Sequence, residues 1–197
     1  MELETGVGEH GREMERKPAT YADLEALPDN VVGEIVGGVL HASPRPAGPH
    51  AVAGSRLGFE LGGPFDRGRN GPGGWVLLYE PELHLGADVL VPDLVGWRRE
   101  RMPRPTSHVA YTVAPDWVCE VLSPSTKNLD REEKLPVYAR EGVRHVWLVD
   151  PKARTLEVLR LDATGYTVLA VHEGDAPVRA EPFDAVELDL PFLWDEG

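Results

Sequence analysis

Cysteine is nearly absent from this chain: Cys119 stands alone, so no intramolecular disulfide can form, and the composition suits a reducing compartment. Long apolar runs are absent as well. No stretch of about 18 apolar residues occurs, which leaves no candidate membrane span. The opening MELETGVGEHGREMERK carries charges where a secretion signal needs an apolar core. A cytoplasmic protein with no membrane partner is the expectation. Basic residues are scarce: 20 Lys and Arg face 33 Asp and Glu, for a net charge of −13. That balance argues against binding nucleic acid through a broad basic face, and a polyanion would need a local basic surface or bound cations to dock. Several motifs are missing too. No GK[ST] follows the glycine-rich run 62–74, no G-x-S-x-G occurs, and scattered histidines beside one cysteine do not make a zinc site.

What is present is enough for one domain. With 197 residues the chain can bury a full-sized core but is short for two. Residues 1–18 read as a disordered tail and 19–197 as a single domain without internal repeats. Thr20 and Asp23 have capping-box spacing and predict a short helix before Pro28. VVGEIV and VLHA, joined by Gly37-Gly38, predict a hairpin. Pro49 opens a helix to Leu61 with Ala53, Leu57 and Leu61 on one face. In GGPFDRGRNGPGG six of thirteen residues are glycine, which predicts a mobile loop beside a substrate cleft. WVLLYE and ELHLG read as strands hinged at Pro81. Asp130 with Glu133 marks a helix start and Gly142 its stop, with Pro136 awkward inside it. VRHVWLVD is a buried strand. TLEVLRLD, GYTVLAVHE and VELDLPFLW read as an antiparallel C-terminal extension for packing and homodimer contacts, without chemistry.

Two acids sit where strands should have none. In DVLVPDLVGW, alternation puts Asp93 on the face of Val91, Val95 and Trp97. In WVCEVL, Glu120 shares a face with Val118 and Leu122, and the opposite face is also apolar. Glu34 lies on the face of Val32 and Val36. Ionised carboxylates so placed are costly unless paired or bound to a metal. Pro92 cannot donate to a ladder, so an edge or a bulge is expected there.

The order strand–PD–strand–E, followed by EVLSPST, DREEK and YAREGVRHVWLVDP, resembles the PD-(D/E)XK nuclease superfamily and, within it, the Uma-type family of restriction-endonuclease-like proteins. The likeness spans roughly residues 20–151. It implies an α/β restriction-endonuclease-like fold with a central mixed sheet flanked by helices. It implies Mg²⁺, with Mn²⁺ as substitute, held by Asp93, Glu120 and the Val121 carbonyl, with Glu34 beside them and DNA as substrate. The chain departs from the pattern at Leu122, where a lysine is usual. The resemblance includes a lysine in D-R-x-x-K, and Lys134, on a helix packed by the sheet, is the candidate to replace it; Lys127 is the other lysine nearby. The plainer reading makes Lys134 one half of an exposed pair with Asp130. Glu34 could equally pair with an arginine, and His50, in the first helical turn, could be structural or face substrate. Arg98, Arg99, Arg101 and Arg104 form the concentrated basic segment, read either as a phosphate clamp or as a solvated loop. The leading reading is a Mg²⁺-dependent DNA endonuclease. Alternatives are an inactive nuclease-fold module for nucleic-acid or protein interaction, which the missing lysine and acidic surface favour, and hydrolysis of another phosphoester.

Overall fold

The computed structural model describes residues 17–45, 48–102 and 110–194. The expected tail falls almost wholly outside them, as does Arg104. Helix α1 (Tyr21–Glu25) starts at Thr20, whose hydroxyl and backbone N–H both donate to the Asp23 carboxylate. Strands β1 (Val31–Val36) and β2 (Val39–Pro44) form the expected hairpin. Gly37 and Gly38 both have positive φ, which a two-residue turn of this hand requires. Helix α2 spans Pro49–Leu61 and buries Ala53, Leu57 and Leu61.

The strands form two mixed sheets. One has the order β2-β1-β5-β4-β7, with β4 (Glu82–Leu85), β5 (Asp88–Leu90) and β7 (Ala110–Tyr111). The other has the order β11-β10-β9-β8-β6-β3. Its members are β3 (Trp75–Tyr79), β6 (Leu94–Arg98), β8 (Trp117–Val121), β9 (His145–Asp150), β10 (Thr155–Asp162) and β11 (Gly165–Glu173). Strands β8 and β9 run parallel, so the chain between them must cross over, and helix α3 (Leu135–Arg140) makes that crossing. Ahead of α3, residues Leu129–Lys134 form a wide π-helical turn. The widening resolves the difficulty of Pro136: it falls in the first turn of regular helix, where its missing N–H breaks no bond.

Sequence alternation sorts the core onto the two faces of the six-stranded sheet. Trp117, Cys119 and Val121 of β8 face α2 and α4 (Leu190–Trp194), together with Trp75, Trp147 and Phe183. The rings of Trp75, Trp117 and Trp147 lie 4.7, 4.9 and 5.5 Å from that of Phe183, separations that favour tilted and edge-on aromatic contact. Val118 and Leu122 face the other way, into a second core shared with the five-stranded sheet and with Val137 and Tyr138 of α3. Cys119 is simply core.

Three expectations change. The PD segment is two strands: β5 ends at Leu90, and Val91, Pro92 and Asp93 lead into β6 in the other sheet. Leu90 and Leu94, on one face of a continuous strand, consequently enter different cores. The glycine-rich run is not a loop beside the cavity described below. Residues Gly62–Asp66 continue α2 as another wide turn that buries Phe65 against Phe183, and the run does not line that cavity. The closing segment is helical: Leu188 makes one bridge to Val178, and then the Asp189 carboxylate accepts from the Phe192 N–H with Pro191 in the first turn. Among the described residues no helix is long and apolar enough to cross a membrane.

Gly96, in the middle of β6, marks the tightest point of this packing. An added Cβ would lie 2.9 Å from Leu77, 3.1 Å from Trp75 and 3.2 Å from Trp117, and both indoles are fully buried. Gly96→Ala is expected to destabilise the fold by about 1–3 kcal/mol through overpacking. Denaturant unfolding would register this as a lower midpoint at unchanged m-value; an unaltered midpoint would mean the tryptophan cluster has slack.

Candidate active site

The break between β5 and β6 builds the site. Interrupting a strand frees backbone groups that need partners, and two acids meet that need. The Val91 N–H donates to Glu34 Oε1 at 2.8 Å, and the Val121 N–H donates to Asp93 Oδ2 at 2.7 Å. Strands β6 and β8 pair with Leu94 opposite Cys119, which sets Asp93 beside Glu120. Glu34, on β1 of the other sheet, closes the arrangement. All three carboxylates line one cavity of about 310 Å³ with His50, Asp130 and Lys134. Ser123, Ser125 and Thr126, from the turn after β8, and Arg45, after β2, stand at the same cavity.

Lys134 occupies its centre of charge. Its ammonium lies 2.9 Å from Glu34, 3.0 Å from Asp130 and 3.3 Å from Glu120, with only 3 % of the residue exposed. Burial alone would lower the lysine pKa, but Glu120, Glu34 and Asp130 outweigh it and hold the ammonium well above its ordinary value. Glu120 is pushed the opposite way for an acid. Burial raises its pKa well above the carboxylate range; Lys134 pulls it down, while Asp130, Asp93 and Glu34 push it up again. The Tyr138 hydroxyl donates to Glu120 Oε1 at 2.5 Å, and burial first, then the charge of Glu120, raises the phenol.

His50 holds the other side. Its Nε2 lies 3.3 Å from Asp93 Oδ1. Burial opposes the imidazolium, but Asp93 outweighs it and raises the pKa. His50 thus anchors Asp93 from the start of α2.

The structure thus brings together Glu34, Asp93, Glu120, Val121, Lys134 and His50. It does not bring in the arginines. Arg98, Arg99 and Arg101 lie at the far end of β6, about 16 Å from Asp93 by strand rise, and each has a local partner. Arg98 covers the Trp75 ring at 4.1 Å, Arg99 pairs with Asp66 at 2.8 Å, and Arg101 pairs with Asp116 at 2.7 Å. Lys127 pairs with Asp150 instead of the carboxylates. Asp130 is also corrected, from surface partner to buried member of the cluster at 2 % exposure. Tyr138 was missed. The spacing of Asp130, Lys134 and Tyr138, four residues apart twice on one helical segment, carried the signal for both.

The donors can be weighed for a metal. At most three positive charges, on Lys134, His50 and Arg45, share the cavity with five carboxylates, Glu34, Glu80, Asp93, Glu120 and Asp130, and oxygen donors of this kind suit a hard cation. Among the described residues no three His, Cys, Asp or Glu side chains form a ready cage. Asp93 and Glu120 would therefore suit a hydrated ion such as Mg²⁺, which keeps several waters, better than a closed site.

Removing the lysine should be expensive. Lys134→Met leaves buried carboxylates without their cation, a change that costs about 3–5 kcal/mol. Adding Asp130→Asn should return part of that loss, because the helix then carries neither charge. Equal unfolding free energies for wild type and Lys134→Met would show that the ammonium does not neutralise the cluster.

Comparisons with known proteins show the family and the fold. A family model, Uma2, described as "Putative restriction endonuclease", matches residues 18–191. A crystal structure from Anabaena variabilis ATCC 29413, of a putative nuclease belonging to DUF820, superposes with a TM-score of 0.73 at 23% identity. The alignment covers 90% of this chain and 98% of that one. At that identity the likeness speaks for the fold, which is restriction-endonuclease-like. None of the curated proteins compared with the chain matches it. With nearly its whole length matched by one family model, the chain belongs to the Uma2 family of restriction-endonuclease-like proteins.

Proposed function

We propose that the protein is a Mg²⁺-dependent endonuclease that hydrolyses phosphodiester bonds in DNA. The observation that carries this reading is Lys134: a helix-borne ammonium between Glu34 and Glu120, in one cavity with Asp93. It supplies the cation that Leu122, buried in the core, cannot.

Asp93 and Glu120 would hold the ion. Each is already oriented, Asp93 by the Val121 amide and His50, and Glu120 by Tyr138 and Lys134. Magnesium, when bound, neutralises phosphoryl charge and makes water a better nucleophile. The chain's own groups would do the rest. Glu34, fixed through Oε1 by the Val91 amide, would orient the attacking water with its second oxygen. Lys134 stays protonated throughout and would donate toward the phosphoryl oxygens, where negative charge grows in the transition state. Water adds to phosphorus and loses a proton to solvent, the phosphorus–oxygen bond to the leaving sugar oxygen breaks, and that oxygen takes up a proton from solvent. Ser123, Ser125 and Thr126 offer neutral donors at the mouth for the remaining phosphate oxygens.

An inactive docking module has weaker support. A buried ion cluster contributes little net stability compared with an apolar core of the same volume, so a fold kept only for surface contacts has no need of one.

Two measurements test the reading. Plasmid DNA should be nicked with Mg²⁺ or Mn²⁺ and not with EDTA, and Asp93→Ala should abolish nicking. The melting temperature should rise with millimolar Mg²⁺, since binding to the folded state alone stabilises by about 2.7 kcal/mol at a hundredfold excess over Kd, and Glu120→Gln should remove the rise. Neither nicking nor a metal-dependent melting shift would sink the proposal.

A further inference from the structure

A second, larger hollow adjoins the carboxylate cavity. It measures about 690 Å³ and shares His50 and Ser123 with that cavity, so one ligand can occupy both. Its walls come from three places. Helix α2 contributes Pro49, Val52 and Arg56; the end of β8 contributes Leu122 and Ser123; and the far side holds Trp194 of α4 with the β9–β10 turn. That turn carries Lys152 and Arg154.

The charge on this turn differs from that at the end of β6. Arg98, Arg99 and Arg101 are each occupied by a neighbouring ring or carboxylate. Lys152 and Arg154 are exposed, and their side chains have no hydrogen-bond or ion-pair partner among the described residues. The turn itself is fixed: the Lys152 and Ala153 N–H groups both donate to Asp150 Oδ1, at 3.1 and 2.9 Å, and Arg154 has φ +56. Opposite them, Arg56 is tied to the Phe192 carbonyl at 2.8 Å and helps hold α4 against α2. The wall also contains the Trp194 indole, whose Nε1 is buried without a hydrogen-bond partner among the described residues, in a residue only 6 % exposed. A basic rim over an apolar and aromatic wall is the pattern that holds single-stranded nucleic acid: cations track the phosphates and apolar surface receives the bases.

We infer that this groove holds the nucleic-acid strand on one side of the phosphodiester seated among the carboxylates. Lys152 and Arg154 contact its phosphates, and the exposed Pro49, Val52 and Pro124 offer an unstacked base an apolar face. The inference rests on the endonuclease reading of the adjoining cavity. It also resolves how a chain of net charge −13 keeps a polyanion: two cations without a partner among the described residues stand beside the acids, and the arginines of the β6 end are not needed.

The test uses the full chain and a short fluorescein-labelled single-stranded oligonucleotide in Ca²⁺, with binding read by anisotropy across a salt series. The variant Lys152→Gln/Arg154→Asn removes both charges and keeps a residue that tolerates positive φ at 154. It should bind at least about tenfold more weakly at low salt, and the slope of log K against log salt should shrink by about 1.4, or about 0.7 for each lost phosphate contact. Arg67→Gln/Arg69→Gln changes the net charge equally beyond the far end of α2 and should leave the slope unchanged. Equal slopes for the Lys152/Arg154 variant and wild type, or equal loss in the Arg67/Arg69 control, would overturn the groove. Hydrolysis of bis(p-nitrophenyl) phosphate by wild type, with Glu120→Gln as control, reports on the cavity separately. Small-diester hydrolysis with an unaltered oligonucleotide slope refutes the groove alone; neither hydrolysis nor oligonucleotide binding by wild type refutes both.

Discussion

Lys134 is 3 % exposed and lies within ion-pair distance of Glu34, Glu120 and Asp130. An ammonium placed there has lost its water and must be solvated by protein, and each carboxylate would be untenable without it. The four side chains come from β1, β8 and the wide turn before α3, so this one charge ties the five-stranded sheet, the six-stranded sheet and the crossover helix together. Pulling any of them away strands a charge. Removing a single partner is therefore costly even though the cluster as a whole contributes little net stability.

The same economy explains why the strand breaks at Val91–Asp93. Pro92 has no N–H to give a ladder, so a continuous strand would be flawed there. Leaving the sheet at this point turns a flaw into a junction. The freed Val91 amide orients Glu34, and Asp93 in turn takes the Val121 amide. Glu34 and Asp93 are thus fixed by backbone donors, and Glu120 by Tyr138 and Lys134, and not by one another, which lets like charges share a cavity. His50, from the start of α2, fixes Asp93 from the remaining side. A site assembled this way is set before any ligand arrives, and pre-positioned charge is what electrostatic catalysis requires.

Much of this was legible in the chain because strand period and apolar content conflicted at particular residues. Glu34, Asp93 and Glu120 stood out as acids on apolar faces, and the conflict resolves in one cavity. The hairpin at Gly37-Gly38, the helix from Pro49 and the buried strand after Gly142 followed from local turn and capping chemistry, which acts over a few residues. What escaped needed long-range geometry. Asp130 has the spacing of an ordinary surface partner for Lys134, and the packing of the wide turn against both sheets makes it a buried one. The arginines of the β6 end looked like a clamp because they follow Asp93 closely in sequence, yet a strand carries them to the opposite end of the sheet. VELDLPFLW alternates well enough for a strand, but Asp189 and Pro191 cap a helix that packs on α2. The two cations of the β9–β10 turn lie in a short polar link, where nothing in the sequence separates a binding residue from a solvated one.

The central claim is that the lysine-held cluster leaves room for one hydrated dication between Asp93 and Glu120. Crystals soaked in Mn²⁺ and measured for anomalous scattering test it most directly. The account predicts a single peak in the cavity, with oxygens of Asp93 and Glu120 about 2.1–2.2 Å away, water completing the shell, and the Lys134 ammonium still bridging Glu34 and Asp130. No peak at millimolar Mn²⁺, or a peak that takes the place of the ammonium, would contradict it.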